Sequence, residues 1–253
     1  MAHIGTPLVH LNTVDSTNAY ASRELAQGRS GPGMVVTAAK QTAGRGQRGR
    51  EWHDSPGKDL LMSVVLTPER MPAMAQFALA KAAALAVVDT VSEVFRATGK
   101  DTSGIRVKWP NDVLVDGLKV SGILIANEIK GDRVASAIVG IGINANSTDL
   151  EGELRATSLC IETGVEQDLD ALLERLCAHL QKWWDRIGEQ DGAIASSYLD
   201  LLWTRDRFTG FILDDRPFLA RPLDVDEQGR LIVEDEAGNV AAYGLDRLRH
   251  LAR

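Results

Sequence analysis

Three short stretches of this 253-residue chain concentrate the residue types that do chemistry. The first is Gly44-Arg45-Gly46-Gln47-Arg48-Gly49-Arg50. Glycine lets the backbone approach a ligand closely, and arginine offers planar, permanently charged donors, so the loop suits phosphate oxygens. It lies between two apolar, strand-like runs, which argues for a place inside a folded unit rather than in a solvated tail. The second stretch is Lys108-Trp109-Pro110-Asn111-Asp112 followed by Lys119, in which an apolar and aromatic frame surrounds two lysines, an amide and a carboxylate. A lysine beside a phosphoryl centre stabilises the charge that develops in acyl-phosphate transfer, and a carboxylate can hold a ribose hydroxyl or a magnesium ion. The third, Gly140-Ile141-Gly142-Ile143-Asn144, reads as a strand ending in glycines; its asparagine could read an adenine edge or simply close a packed strand.

Apolar periodicity and turn residues set out the elements that must hold these stretches. Leu8 to Val14 reads as a short strand, and Asp15-Ser16-Thr17-Asn18 offers capping side chains to a helix over Ala19 to Ala26 that Gly28 closes. Met34 to Ala39 and Leu60 to Leu66 read as buried strands on either side of the glycine/arginine loop. Pro72 to Ala97 is the longest helix, stopped by Gly99. Ile105 to Lys108, Asp112 to Val115, Gly122 to Ile129 and Ala135 to Ile143 are strands, with Asp116-Gly117 the clearest hairpin turn, so a largely antiparallel sheet is expected. Helices over Asp168 to Ile187 and Ala193 to Leu202 follow. Short strands then return at Phe208 to Leu213, Phe218 to Leu223, Leu231 to Glu234 and Val240 to Tyr243, so a small β-domain is expected from near Thr204.

Composition bounds the function. Hydrophobic residues are 44% and charged residues 25%, ordinary for a soluble enzyme, and a net charge of -7 without a Lys/Arg run argues against non-specific DNA binding. Any basic site must be local. Met1 to Thr17 has no basic stretch followed by an apolar core, and no apolar run is read as reaching the roughly 20 residues that cross a bilayer, so a cytoplasmic protein without membrane contact is expected. Cys160 and Cys177 lack metal-knuckle spacing and are expected to be buried, unbridged thiols.

In order and spacing, Ser16-Thr17-Asn18, Gln41, the glycine/arginine loop with Trp52, Lys108 to Asp112, Lys119-Val120-Ser121-Gly122 and Gly142-Ile143-Asn144 resemble the biotin–protein ligase family. The resemblance covers residues 8 to 203 well and the tail more loosely. It implies an α+β fold: a mixed, largely antiparallel sheet with helices, related to class II aminoacyl-tRNA synthetases, in residues 1–203, and a small SH3-like β-barrel in residues 204–253. It also implies an activity, the joining of biotin to ATP as biotinoyl-5'-AMP and transfer of the biotin to a lysine of the biotin carboxyl carrier protein of acetyl-CoA carboxylase or a related carboxylase. Magnesium would accompany the ATP.

Carried over by motif, Ser16, Thr17, Asn18 and Gln41 should surround the biotin ureido and valeryl groups, with Gly44, Arg45, Gly46 and Gln47 closing over the carboxylate and Trp52 covering the apolar part. Lys119, helped by Arg45, should act at the carboxylate and α-phosphate, Gly122 should leave room for the ligand, and Arg48, Arg50, Lys108, Asn111, Asp112 and Asn144 should serve the nucleotide. Two acyl transfers need in-line positioning and cancelled phosphate charge more than an acid–base pair, so no Ser/His/Asp signature is required. The chain departs from the family at Gln47, where many members place an arginine, and at Leu219-Ala220-Arg221-Pro222 in the C-terminal part, where no site is assigned. Too little chain precedes Leu8 for a helix-turn-helix, so a ligase without specific DNA binding is expected, as a monomer or a homodimer. A lipoate–protein ligase, with the same acyl-adenylate chemistry, and a non-catalytic nucleic-acid-binding module are the competing readings.

Overall fold

A computed structural model describes residues 3–68, 71–150, 155–189 and 192–251. Its centre is a seven-stranded sheet of β1 (Leu8–Leu11), β2 (Val35–Ala38), β3 (Leu60–Leu66), β4 (Ile105–Lys108), β5 (Asp112–Val115), β6 (Leu118–Lys130) and β7 (Arg133–Ile143). The spatial order is β1-β2-β3-β7-β6-β5-β4, and every neighbouring pair is antiparallel except β1 with β2. This is the mixed, largely antiparallel arrangement expected.

β3 shows how a period of two builds a two-sided sheet. All seven of its residues are buried. Leu60, Met62, Val64 and Leu66 face the main core under α2 (Phe77–Ala97) and α4 (Leu169–Asp185), whereas Val65 packs with Ala21 of α1 (Thr17–Ala26), Met34, Val36 and Ile138. Leu61 and Ser63 share the α1 face, which one short helix covers only in part; beyond α1 that face opens into the cleft described below.

Several boundaries shift from the sequence reading. α1 starts at Thr17, two residues early, because Ser16 ends its extended segment without capping the helix through its side chain. Thr17 and Asn18 make other contacts, and Asp15 pairs with Arg23. β6 and β7 run on as one long hairpin, and β5 and β6 meet at Asp116-Gly117 as expected, both residues having positive φ of 48° and 81°. The sequence reading named neither α3 (Leu159–Thr163), which Ser158 caps and Gly164 ends, nor β12 (Leu248–His250).

α2 is long and apolar enough to cross a membrane by length and composition, contrary to the expectation that no run qualifies. Its residues explain the composition otherwise: Leu79, Ala83, Ala86, Val87, Val91 and Val94 are buried in the core it shares with α4 and with α5 (Ala193–Asp200). Cys160 and Cys177 are free as expected; only Cys177 is buried, and Cys160 is half-buried.

After α5 the chain forms a second antiparallel sheet of β8 (Thr209–Leu213), β9 (Arg216–Val225), β10 (Leu231–Asp235), β11 (Val240–Tyr243) and β12, in the order β11-β10-β9-β8-β12. Among the described residues its outer strands do not pair with each other, so a closed barrel is not what these strands make. Phe211, Val225, Leu231 and Leu248 belong to the same apolar core as α2, so the second sheet shares its core with that helix.

Candidate active site

A cleft of about 1020 Å³ runs along the α1 face of the large sheet and on to the second sheet. Its floor follows from strand register. Gly122 on β6 pairs with Gly142 on β7, and Leu124 pairs with Gly140, so the glycines bare one patch of the sheet. The indole of Trp52 lies on that patch: a Cβ at Gly142 would strike its ring, and one at Gly122 would come within 2.7 Å of it. Gly122 was expected to leave room for a ligand; the room it leaves is taken by Trp52. A Cβ at Gly140 would strike the side-chain amide of Asn18. Indole Nε1 of Trp52 is buried and has no hydrogen-bond partner among the described residues, and the Lys119 ammonium stands 5.0 Å from the ring centroid.

At the α1 end the cleft is polar. The backbone N–H of Thr17 donates to Gln41 Oε1 at 2.8 Å, which fixes the orientation of that amide. Asn18 Nδ2 donates to Leu124 O at 3.0 Å, and Ser63 Oγ lies 2.5 Å from Asn18 Oδ1. Both ends of the Asn18 amide are therefore engaged by the protein, so Asn18 frames the pocket. The Ser16 hydroxyl and Gln41 Nε2 make no hydrogen bond among the described residues.

The other end is basic. Arg45, Arg48, Arg50, Lys108, Lys119 and Arg155 line it, with Arg207 and Arg249 from the second sheet's side, against the carboxylates of Glu51 and Asp112. Lys119 Nζ is 3.3 Å from Asp112 Oδ1. Burial pushes the Lys108 amine below its ordinary value; Asp112 opposes that shift, and nearby Lys119, Arg50 and Arg155 add to it. In a chain of net charge -7, so many cations around one cleft make a focused anion site.

The glycine/arginine loop is a short hairpin closed by Gly46 N–H to Arg50 O (2.7 Å) and Trp52 N–H to Gly44 O (3.1 Å). Gly44 does not line the cleft, but a Cβ there would meet Trp52 O at 2.6 Å, so it lets the hairpin close. Asp59 ties this loop to the one after β7: it accepts from Ser55 N–H (3.1 Å), Ala145 N–H (3.0 Å) and the Ser147 hydroxyl (2.6 Å).

Of the residues singled out from sequence, Ser16, Thr17, Asn18, Gln41, Arg45, Gly46, Gln47, Arg48, Arg50, Trp52, Lys108, Asn111, Asp112, Lys119 and Gly122 line one cleft. Asn144 does not: it is buried, its Nδ2 donates to Thr157 O at 3.0 Å and its N–H to Val120 O at 2.9 Å, so it buttresses the strand that carries Lys119. Asn111 lines the cleft but its Nδ2 donates to Ile123 O at 2.8 Å, fixing the Lys108–Asp112 turn to β6. Sequence reasoning missed Gly140 and Gly142 as floor, although glycines two apart on a strand must share a face. It also missed Arg155, which the backbone bond from Lys119 N–H to Arg155 O holds beside the cleft, and Trp203, whose N–H donates to Val107 O on β4; Arg207, Arg249 and His250 reach the cleft from the second sheet's side.

Comparison with known proteins agrees with this architecture. Residues 11–144 match the model of the Biotin/lipoate A/B protein ligase family. The bifunctional ligase/repressor BirA of Bacillus subtilis is 33% identical over 252 residues, covering 96% of this chain and 74% of that protein. The biotin–[acetyl-CoA-carboxylase] ligase of Mycobacterium tuberculosis is 32% identical over 240 residues, covering 93% and 86%. Among solved structures, the Aquifex aeolicus biotin protein ligase in complex with biotin and ATP superposes with a TM-score of 0.76 at 26% identity, covering 96% of this chain and 99% of that one. With the family model spanning more than half the chain and relatives matched over most of their length, the chain belongs to the biotin/lipoate A/B protein ligase family.

Proposed function

We propose that the protein is a biotin–protein ligase that activates biotin with ATP and passes it to the lysine of a biotin carboxyl carrier protein. One observation carries this reading. The cleft joins a small polar pocket, built from Ser16, Thr17 and Gln41 beside a glycine floor, to a wall of cations, and Lys119 stands at the junction.

In the first step a carboxylate oxygen of biotin attacks the α-phosphorus of ATP; the new P–O bond forms as the bond to pyrophosphate breaks. The Lys119 ammonium serves both the attacking carboxylate and the charge that develops on the α-phosphoryl oxygens, with Arg45 beside it. Arg48, Arg50 and Lys108 hold the phosphates in line, which removes most of the entropic part of the barrier. In the second step the neutral amine of the acceptor lysine attacks the acyl carbon, an amide forms and AMP leaves. Magnesium fits the donor set as a nucleotide-borne ion. Among the described residues no three carboxylate, histidine or cysteine side chains are grouped so as to hold a metal ion, so phosphate oxygens would supply most ligands and Asp112 the protein's share. When bound, it neutralises phosphate charge.

The polar pocket also separates biotin from lipoate. The dithiolane ring of lipoate offers no hydrogen bonds, and leaving buried donors or acceptors unmet costs about 1–3 kcal/mol each. ATP–pyrophosphate exchange with biotin, with lipoate or with neither tests the reading: exchange is expected with biotin alone. Exchange driven by lipoate, or by neither acid, sinks it.

A further inference from the structure

Ser63 does not line the cleft, yet its hydroxyl touches two residues that do. It lies on β3, fully buried, 2.8 Å from Thr17 Oγ1 and 2.5 Å from Asn18 Oδ1. Proton counting orients the three groups. Asn18 Nδ2 donates to the carbonyl of Leu124, so Asn18 Oδ1 is the end facing Ser63, and an amide oxygen can only accept. Ser63 has one proton and gives it to Asn18. The 2.8 Å approach of the Ser63 and Thr17 oxygens then needs a proton from Thr17, because two bare oxygens at that distance repel. Gln41 Oε1, 3.2 Å from Thr17 Oγ1, is already served by the Thr17 N–H at 2.8 Å. The relay therefore runs Thr17 O–H to Ser63 O–H to Asn18 Oδ1, with Asn18 Nδ2 to the backbone.

We propose that Ser63 is a positioning residue for substrate specificity: by taking the Thr17 proton it leaves Thr17 Oγ1 able only to accept from the cleft. The same geometry turns Gln41 Nε2 into a free donor. An acceptor and a donor held side by side match the N–H and C=O edge of a cyclic urea. A thioether or disulfide ring gains nothing from them. This inference rests on the biotin reading of the cleft and names the device that reads the ureido group.

The test is biotin- and ATP-dependent pyrophosphate exchange by Ser63→Ala. With its relay partner gone, the Thr17 proton is free to turn toward Gln41 or the cleft, so the KM for biotin should rise roughly tenfold, the loss of one well-placed hydrogen bond. The KM for ATP and kcat should stay within about twofold, since nothing at the phosphate end has moved. In a Thr17→Ala background Ser63→Ala should add little, because Ser63 acts through Thr17. Ser63→Thr and Ser63→Val are matched in shape and differ only by the hydroxyl, so the biotin KM should be lower in Ser63→Thr even if both repack. An unchanged biotin KM in Ser63→Ala, equal values for the Thr and Val variants, or a full additive loss in the Thr17→Ala background overturns the inference alone. Wild-type exchange that does not depend on biotin defeats the substrate reading and this inference together.

Discussion

Lys119 sits where the polar pocket meets the cationic wall, paired with Asp112 at 3.3 Å. Its ammonium gains most where negative charge develops, so its loss should cost the transition state more than the ground state. Lys119→Ala should abolish measurable adenylate formation while biotin affinity by calorimetry stays within about tenfold. Equal loss of binding and turnover contradicts the assignment. His250, on β12, poses a different test. Its ring lies 4.5 Å from Phe211 and 5.2 Å from Trp203, and burial, aided by nearby Lys108, pulls its pKa from 6.5 down to about 3. The folded state keeps this imidazole neutral while the unfolded chain protonates it near 6.5, so the unfolded state binds more protons and stability is lost as pH falls from about 6.5 toward 3. In His250→Gln the urea midpoint should fall less between pH 7 and 4. Parallel pH profiles for the two proteins would falsify the burial argument.

The hairpin from Gly44 to Trp52 combines a costly backbone conformation with crowded cations. Its arginines share one face of the cleft, and Arg48 has a positive φ of 58°, a conformation that non-glycine residues adopt at a cost. Its glycines carry a large ordering entropy and its cations repel one another, so an anionic ligand should tighten it. Protease should cut within Thr42 to Trp52 faster in the free enzyme than with biotin and ATP. Closure retains a mixed anhydride that water would destroy. Gln47 lines the cleft as a neutral amide, and an arginine there adds a charge-assisted contact. Gln47→Arg should therefore slow the release of biotinoyl-AMP into solution while overall transfer stays nearly constant. A release rate that is unchanged or faster, measured on the quenched supernatant, rules the latch out.

At the scale of the whole molecule, the second sheet is a wall of the cleft as well as part of the core. The Trp109 indole donates to Gly229 O at 2.9 Å, and the buried Lys81 ammonium of α2 donates to Val225 O at 2.8 Å, so the turn between β9 and β10 is held from two sides. Trp109 neighbours Lys108 and Asp112, so this docking positions the nucleotide-facing turn. Trp109→Phe keeps most of the packing but strands the Gly229 carbonyl, which should cost about 1–3 kcal/mol of stability in urea melts. It should also raise the KM for ATP more than that for biotin. A rise confined to biotin would separate the docking from the nucleotide end.

What the sequence determined by itself is local: strand and helix periods, the Asp116-Gly117 turn, the glycine/arginine loop, and the lysines flanking Trp109, since each depends on a few neighbouring residues. These were enough to name fifteen of the residues that line the cleft, because motif order along the chain already carried them. Closure decided the rest. Strand register set Gly122 opposite Gly142 and so gave Trp52 its floor. Tertiary contacts turned Asn18, Asn111 and Asn144 into framework, since the amide of each donates to a backbone carbonyl that folding brings beside it, and only Asn144 of the three is buried. Contacts between residues 45 and 46 positions apart made Ser63 the partner of Asn18 and Thr17. The return of β12 brought Arg249 and His250 to a cleft whose motifs end a hundred residues earlier, and no pattern of nearby residues encodes that approach, which only a completed core enforces.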